Sequence, residues 1–202
     1  MVRYQYLPSA VKQYQCKIIV EIGVLRCKRA RRMIEAALTF SSPEYIFYYG
    51  FDLFELWNSS VAIKEQSTQA PLSQAKAQTV LTNLTGANIT MVKGDSKKTV
   101  SKFAAHFGKY ADLIFIDGGH SVPTIASDWK SVQPIVGLNT LVFFDDYYIN
   151  PHGRFKNKGC KTLIDSLSQS AFAVEVLPQC DLFKGDDPND VTEDHLVKVR
   201  KR

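Results

Sequence analysis

The chain is poor in the features that mark several classes of protein. Its four cysteines, Cys16, Cys27, Cys160 and Cys180, form no Cys-x-x-Cys pair and no zinc-ligand spacing. Reduced thiols in a cytoplasmic chain are therefore expected rather than a disulfide framework. No apolar run reaches bilayer-spanning length, and the opening Met1-Val2-Arg3-Tyr4-Gln5-Tyr6-Leu7-Pro8 does not read as a signal peptide, so a soluble protein without a membrane partner is expected. Charge is nearly balanced, with 25 Lys+Arg against 20 Asp+Glu and a formal net charge of +5. Much of the excess lies in Lys28-Arg29-Ala30-Arg31-Arg32 and Lys198-Val199-Arg200-Lys201-Arg202. Basic clusters of this kind are usually solvated faces or tails. No aromatic-interleaved basic groove accompanies them, and no nucleic-acid partner is expected. Internal repeats and linkers are absent too, and 202 residues with 45% hydrophobic content suffice for one well-buried domain over 1–202.

What the sequence does contain is organised around residues 112–146. Asp112-Leu113-Ile114-Phe115-Ile116-Asp117 is followed by Gly118-Gly119-His120, and Leu141-Val142-Phe143-Phe144 by Asp145-Asp146. Short continuous apolar runs suit strands covered on both faces, as in a parallel sheet. Between them Val122, Ile125, Ala126, Trp129 and Val132 recur at helical spacing, with Ser121 as a cap and Pro123 in the first turn. Strand, helix and strand make a βαβ unit that delivers both acidic ends to the carboxyl edge of the sheet, where open α/β folds bind ligands. Two like charges about 4 Å apart repel by about 4 kcal/mol at an effective dielectric near 20. Asp117, Asp145 and Asp146 thus call for a cation, strong donors, water or a proton. A hard divalent ion is one solution. The other is that Asp117 and Asp145 cap loops while Asp146 is solvated.

The remaining chain reads as further strand and helix units. Residues 1–15 form an arm or a short leading helix. Residues 17–23 are a strand turning at Gly23, followed by a helix with Ala30, Met33, Ile34, Ala37 and Leu38 inward. The basic start of that helix opposes its dipole, which fits either a nearby anionic group or a solvated face. Residues 45–52 are a strand whose closing Asp52 can accept from the two hydroxyls of a ribose. Residues 53–70 lack a period and are expected as a lid loop, with disorder as the alternative. A helix over 71–84, with Ala77, Val80, Leu81 and Leu84 inward, stops at Gly86. A strand over 88–93 runs into Gly94-Asp95-Ser96 and a helix that ends at Gly108. A polar loop is expected over 147–159, then a helix marked by Cys160, Leu163, Ile164 and Leu167. Strands over 173–177 and 195–199 close the chain. The expected architecture is an α/β, Rossmann-like doubly wound, mostly parallel seven-stranded sheet with an antiparallel edge strand and helices on both faces.

With these segments placed, the chain resembles the class I S-adenosylmethionine-dependent methyltransferases over nearly its whole length. Val20-Glu21-Ile22-Gly23 is similar to the first-strand motif, which implies Glu21 and Gly23 at the cofactor. Gly50-Phe51-Asp52-Leu53-Phe54-Glu55 resembles the second-strand motif and implies Asp52 on the ribose. Gly94-Asp95-Ser96 matches the segment that meets adenine. Within the superfamily, Ile116-Asp117-Gly118-Gly119-His120-Ser121 and Phe144-Asp145-Asp146-Tyr147 look most like the metal-dependent macrocin-type sugar O-methyltransferases. The resemblance implies Mg²⁺ on Asp117, Asp145 and Asp146, with Asp117 also bordering the cofactor, His120 as general base and a small-molecule hydroxyl as acceptor. A neutral imidazole suits that proton transfer; a loop histidine bonded to backbone is the alternative. One departure is the turn Gly23-Val24-Leu25-Arg26-Cys27, where Leu25 and Cys27 stand in place of family glycines and narrow the approach to a ligand. A metal-dependent glycosyltransferase using a nucleotide-sugar and a non-catalytic methyltransferase-fold binding protein remain as alternatives, and a homo-oligomer is left open.

Overall fold

The computed structural model describes residues 3–65, 69–185, 187 and 189–202. A 3-10 turn at Arg3–Gln5 leads into helix α1 (Tyr6–Tyr14), strand β1 (Ile18–Ile22), α2 (Lys28–Ala37), β2 (Phe47–Asp52), α3 (Ser59–Glu65), α4 (Gln74–Thr85) and β3 (Asn88–Lys93). There follow α5 (Ser96–His106), β4 (Leu113–Ile116), α6 (Val122–Val132), β5 (Leu141–Ile149), α7 (Lys161–Asp165), β6 (Phe172–Lys184) and β7 (Val191–Lys201). The strands form one sheet in the order β3-β2-β1-β4-β5-β7-β6. Neighbours from β3 through β5 are parallel, and β7 is antiparallel to both β5 and β6. The expected doubly wound architecture is present. Its reversed strand is β7, one place in from the edge strand β6.

Side chains alternate across this sheet and divide the core in two. Ile19, Tyr48, Leu113, Phe115, Leu141 and Phe143 face α1, α2 and α4, which contribute Leu7, Val11, Met33, Ile34, Ala77 and Leu81. Val20, Ile22, Phe51, Ile114, Ile116, Val142 and Phe144 face α5, α6 and α7, which contribute Val100, Ala104, Ile125, Trp129, Val132 and Ile164. Burial on both faces is why these strands read as unbroken apolar runs. Among the described residues no helix is long and apolar enough to cross a membrane.

Several local expectations are corrected. Strand β5 runs on to Ile149, into the segment expected as loop, because β7 continues to pair with it. Residues 53–65 hold a 3-10 turn (Phe54–Leu56) and α3 rather than an aperiodic loop; 66–68 lie outside the described residues. Leu84, expected inward, is exposed. Ser121 precedes α6 but makes no side-chain cap; its hydroxyl lies instead within hydrogen-bond distance of Glu65 and Thr124. Arg3–Gln5 and α1 pack on the body as the leading helix alternative, and Arg3, Tyr4 and Leu7 are buried.

Candidate active site

The sheet order reverses direction between β1 and β4, and a cavity of about 460 Å³ opens there at the carboxyl ends of the strands. Gly23, Asp52, Asp95, Ser96, Asp117, His120, Asp145 and Asp146 all line it. Gly23 has φ +94, and a Cβ there would stand 1.9 Å from the carbonyl oxygen of Asp117, so only glycine lets β1 and β4 converge. At the end of β2, Asp52 accepts from the backbone N–H of Leu25 at 2.8 Å and of Phe54 at 3.2 Å. Its carboxylate ties the β1 turn to β2, with lone pairs still open toward the cavity. Leu25 (φ 49) and Cys27 (φ 60) take the left-handed conformation that glycine would adopt more easily. Asp95 caps α5, accepting from Lys97 N at 3.1 Å.

Glu21 is a correction. It lies outside the cavity lining, on the α1/α2 face, where Tyr48 donates to its Oε2 and Oε1 has no hydrogen-bond partner among the described residues. Alternation along β1 sends Gly23's neighbour Ile22 to one face and Glu21 to the other. Burial pushes the Glu21 carboxyl up to about 7, against the Tyr48 hydrogen bond that lowers it.

The other end of the cavity is built on an irregularity in β5. Phe144 pairs Val197 and Tyr147 pairs His195, so Asp145 and Asp146 together oppose Leu196. This bulge breaks the alternation and lets consecutive carboxyls serve one site. Asp146 takes φ +64 there. Asp145 is the best-held acid. Arg3 Nη2 lies 2.9 Å from its Oδ1, Arg3 Nε donates to the same oxygen at 3.2 Å, and the Tyr4 hydroxyl donates to Oδ2. Arg3 also bridges to Asp194 at 2.7 Å and reaches Asp181. Arg29 stacks on the Tyr4 ring, 3.9 Å from its centroid, and places Nη1 3.2 Å from Asp117.

These contacts sort the acids. Burial would raise Asp145, but Arg3, Arg29 and Tyr4 outweigh it and hold the carboxyl below its ordinary range. Asp117 goes well up, driven first by burial and then by Asp145 and Asp146, with Arg29 opposing. Asp146 is raised by burial and Asp145 while His120 opposes. Asp194 is pushed up to about 9 by burial and the same two acids, against Arg3.

The expected Mg²⁺ set of Asp117, Asp145 and Asp146 does not fit this arrangement. A hard cation needs free carboxylate oxygens at about 2.0–2.6 Å. Both oxygens of Asp145 already accept hydrogen bonds, and Asp117 faces Arg29. The acids whose oxygens come within 4.8 Å of one another are Asp145, Asp146 and Asp194, and Arg3 already bridges two of them.

His120 lies on the cavity wall with Nε2 3.5 Å from Asp146 Oδ2. Tyr148 donates to the other Asp146 oxygen at 2.8 Å. The loop before α7 fixes the pair by backbone: Gly159 N donates to His120 O at 2.8 Å and Cys160 N to Asp146 O at 2.9 Å. A cavity with hydroxyl acceptors at one end and a histidine–carboxylate pair at the other can bind a nucleoside and act on a second molecule.

A family model described as a methyltransferase domain matches residues 20–147, well over half of the chain. The chain belongs to that methyltransferase family. Solved structures agree on the fold. A putative O-methyltransferase from Klebsiella pneumoniae superposes with a TM-score of 0.63 at 17% identity, covering 100% of this chain and 80% of that one. An O-methyltransferase from Bacillus cereus in complex with SAH gives 0.65 at 12%, covering 100% and 81%. The calicheamicin-pathway TDP-rhamnose 3′-O-methyltransferase CalS11 gives 0.60 at 14%, covering 98% and 79%. No curated protein matches the sequence significantly.

In this methyltransferase, several cavity residues carried no recognisable sequence signal. Arg3 and Tyr4 arrive from the N-terminal arm, and Asp194 from β7. Glu65, at the end of α3, accepts from Ser121 N at 2.9 Å and from the Ser121 and Thr124 hydroxyls at 3.2 Å. Lys158 donates to Lys64 O at 2.7 Å, so α3 is pinned across the cavity mouth from two sides. Trp57 lines the same wall, and its indole N–H is buried without a hydrogen-bond partner among the described residues. Arg29 alone had a signal: a cation opposing its own helix dipole, answered here by Asp117.

Proposed function

We propose that this chain transfers a methyl group from S-adenosylmethionine to a hydroxyl of a small molecule. The observation that carries the reading is the juxtaposition of His120 and Asp146 with the Gly23–Asp52–Asp95 end of one cavity. The nucleoside would lie across β1 and β2, with Asp52 accepting from its ribose hydroxyls and Asp95 and Ser96 bordering its base. S-adenosylmethionine, when bound, supplies an electrophilic methyl carbon on a sulfonium. The acceptor hydroxyl would be held beside that carbon, S-adenosylhomocysteine would be the leaving group, and His120 would take the hydroxyl proton. Asp146 then faces the imidazolium, as a carboxylate beside a base commonly does. The SAH complex of the Bacillus cereus neighbour and the sugar acceptor in the description of CalS11 support this cofactor and acceptor class.

The glycosyltransferase reading needs a metal on Asp145 and Asp146, and Asp145 is held by Arg3. Calorimetry with S-adenosylhomocysteine tests the proposal. The parent should bind, and Asp52→Ala should bind about ten- to a hundredfold more weakly, the cost of a charge-assisted hydrogen bond. Methyl transfer from labelled S-adenosylmethionine to a panel of sugars and phenols then identifies the acceptor class. A parent that binds no S-adenosylhomocysteine would sink the proposal and leave a non-catalytic relative.

A further inference from the structure

We propose that the Arg3 guanidinium stands where a divalent cation would stand in this acid cluster, so that the chain works with a built-in organic cation and no metal ion at its acceptor end. This extends the methyl-transfer reading by naming the counter-charge of the site, but it rests on contacts that do not depend on the acceptor.

Three observations carry it. The oxygens of Asp145, Asp146 and Asp194 converge within 4.8 Å, a spacing that suits a cation. Arg3 Nη2 bridges two of those acids, at 2.9 Å from Asp145 Oδ1 and 2.7 Å from Asp194 Oδ2. Of the remaining Arg3 nitrogens, Nε donates to Asp145 of the same group and Nη1 to a further acid, Asp181. The guanidinium is thus surrounded by carboxylates much as an ion would be. Its planar fork reads several oxygens at once, which an ammonium cannot do. Arg3 is 4% exposed, so the charge is sealed in rather than solvated.

The second cation is placed to complete the replacement. Arg29 meets Asp117 at 3.2 Å and lies 3.9 Å from Asp145, and the Tyr4 ring packs against both guanidiniums. Two fixed charges of +1 supply the neutralisation that one divalent ion would bring. They also repel a divalent ion that tries to join them. Arg3 and Tyr4 come from the N-terminal 3-10 turn, so docking of that segment completes the acceptor end. Arg3 is a positioning residue: it holds Asp145 and Asp194 beside the His120–Asp146 pair.

The test is metal binding by the full chain. Mn²⁺ is titrated into metal-stripped parent, with and without S-adenosylhomocysteine, and free Mn²⁺ is followed by electron paramagnetic resonance. The parent should bind none at this cluster up to millimolar concentration. Arg3→Met should gain a Mn²⁺ site at least about tenfold tighter, and adding Asp145→Asn to that variant should abolish it. Either of two results overturns the proposal: a parent that binds one Mn²⁺ and loses it in Asp145→Asn, or a folded Arg3→Met that binds no more Mn²⁺ than the parent. The parent titration decides even where Arg3→Met does not fold. S-adenosylhomocysteine binding, measured alongside, reports on the methyltransferase reading separately.

Discussion

A general base acting on an acceptor hydroxyl affects rate more than binding, and His120 is the residue proposed for that role. Its ring stands 3.5 Å from Asp146 on the cavity wall, away from the Asp52 end. His120→Ala should lower kcat by about 10²–10⁴ while leaving S-adenosylhomocysteine affinity unchanged. The rate should recover partly at high pH, where the acceptor hydroxyl ionises unaided. A variant as fast as the parent would remove His120 from the chemistry. Gly23 is constrained by space rather than chemistry. A methyl there meets backbone 1.9 Å away, and φ +94 is strained for any other residue. Gly23→Ala should cost at least about 2 kcal/mol, read from the urea midpoint, because neither β1 nor β4 can retreat.

At the scale of elements, α3 is the part whose behaviour follows least from its own residues. Ile63 is exposed, and the helix is held mainly by what Glu65 accepts from the start of α6 and by the Lys158 clamp. Burial would raise Glu65, but the Ser121 and Thr124 hydrogen bonds prevail and hold its carboxyl below the ordinary range. That pinning is present at neutral pH and is lost as pH falls through the lowered value. Glu65→Ala should speed amide exchange over residues 59–65 by about ten- to a hundredfold, the loss of hydrogen bonds to a charged acceptor. S-adenosylhomocysteine should slow exchange there in the parent. Equal exchange in the variant and the parent would show that α3 is held by other contacts.

At the scale of the whole molecule, buried acids outside the acceptor cluster set how stability depends on pH. Asp128 on α6 is fully buried, and among the described residues neither carboxyl oxygen has a hydrogen-bond partner. Burial pushes it up to about 7 despite the nearby Ser96 hydroxyl, with Asp95 raising it further and Lys97 lowering it. A raised acid binds its proton more tightly in the folded state than in the unfolded one. Its stabilisation is therefore complete below about pH 4 and is lost as pH rises through 7. In Asp128→Asn that loss disappears. The stability difference between variant and parent should move in the variant's favour by up to about 4 kcal/mol between pH 4 and pH 8. Denaturant unfolding at the two pH values measures it; a difference independent of pH would place Asp128 in contact with water.

The strands and the acids that close them were legible in the sequence because they are local. Continuous apolar runs mark strands buried on two faces, and the residue after each run lands at the carboxyl edge whatever the rest of the chain does. Asp52, Asp117, His120, Asp145 and Asp146 reach one cavity for that reason. Alternation along β1 also turns Glu21 away from Ile22, which lines the cavity, and onto the α1/α2 face, a consequence of period two that the motif resemblance obscured. What balances the acids was not legible. Arg3 and Asp145 are 142 residues apart, and Asp194 joins them only because β7 pairs with β5. A guanidinium and a metal ion answer the same repulsion, and nothing local in the sequence distinguishes them. The N-terminal turn could have stayed in water; burial of Leu7 and Val11 against the α2 face draws it in and carries Arg3 and Tyr4 to the acids. The sequence alone thus determined where the negative charge gathers, and only tertiary packing decided which cation meets it.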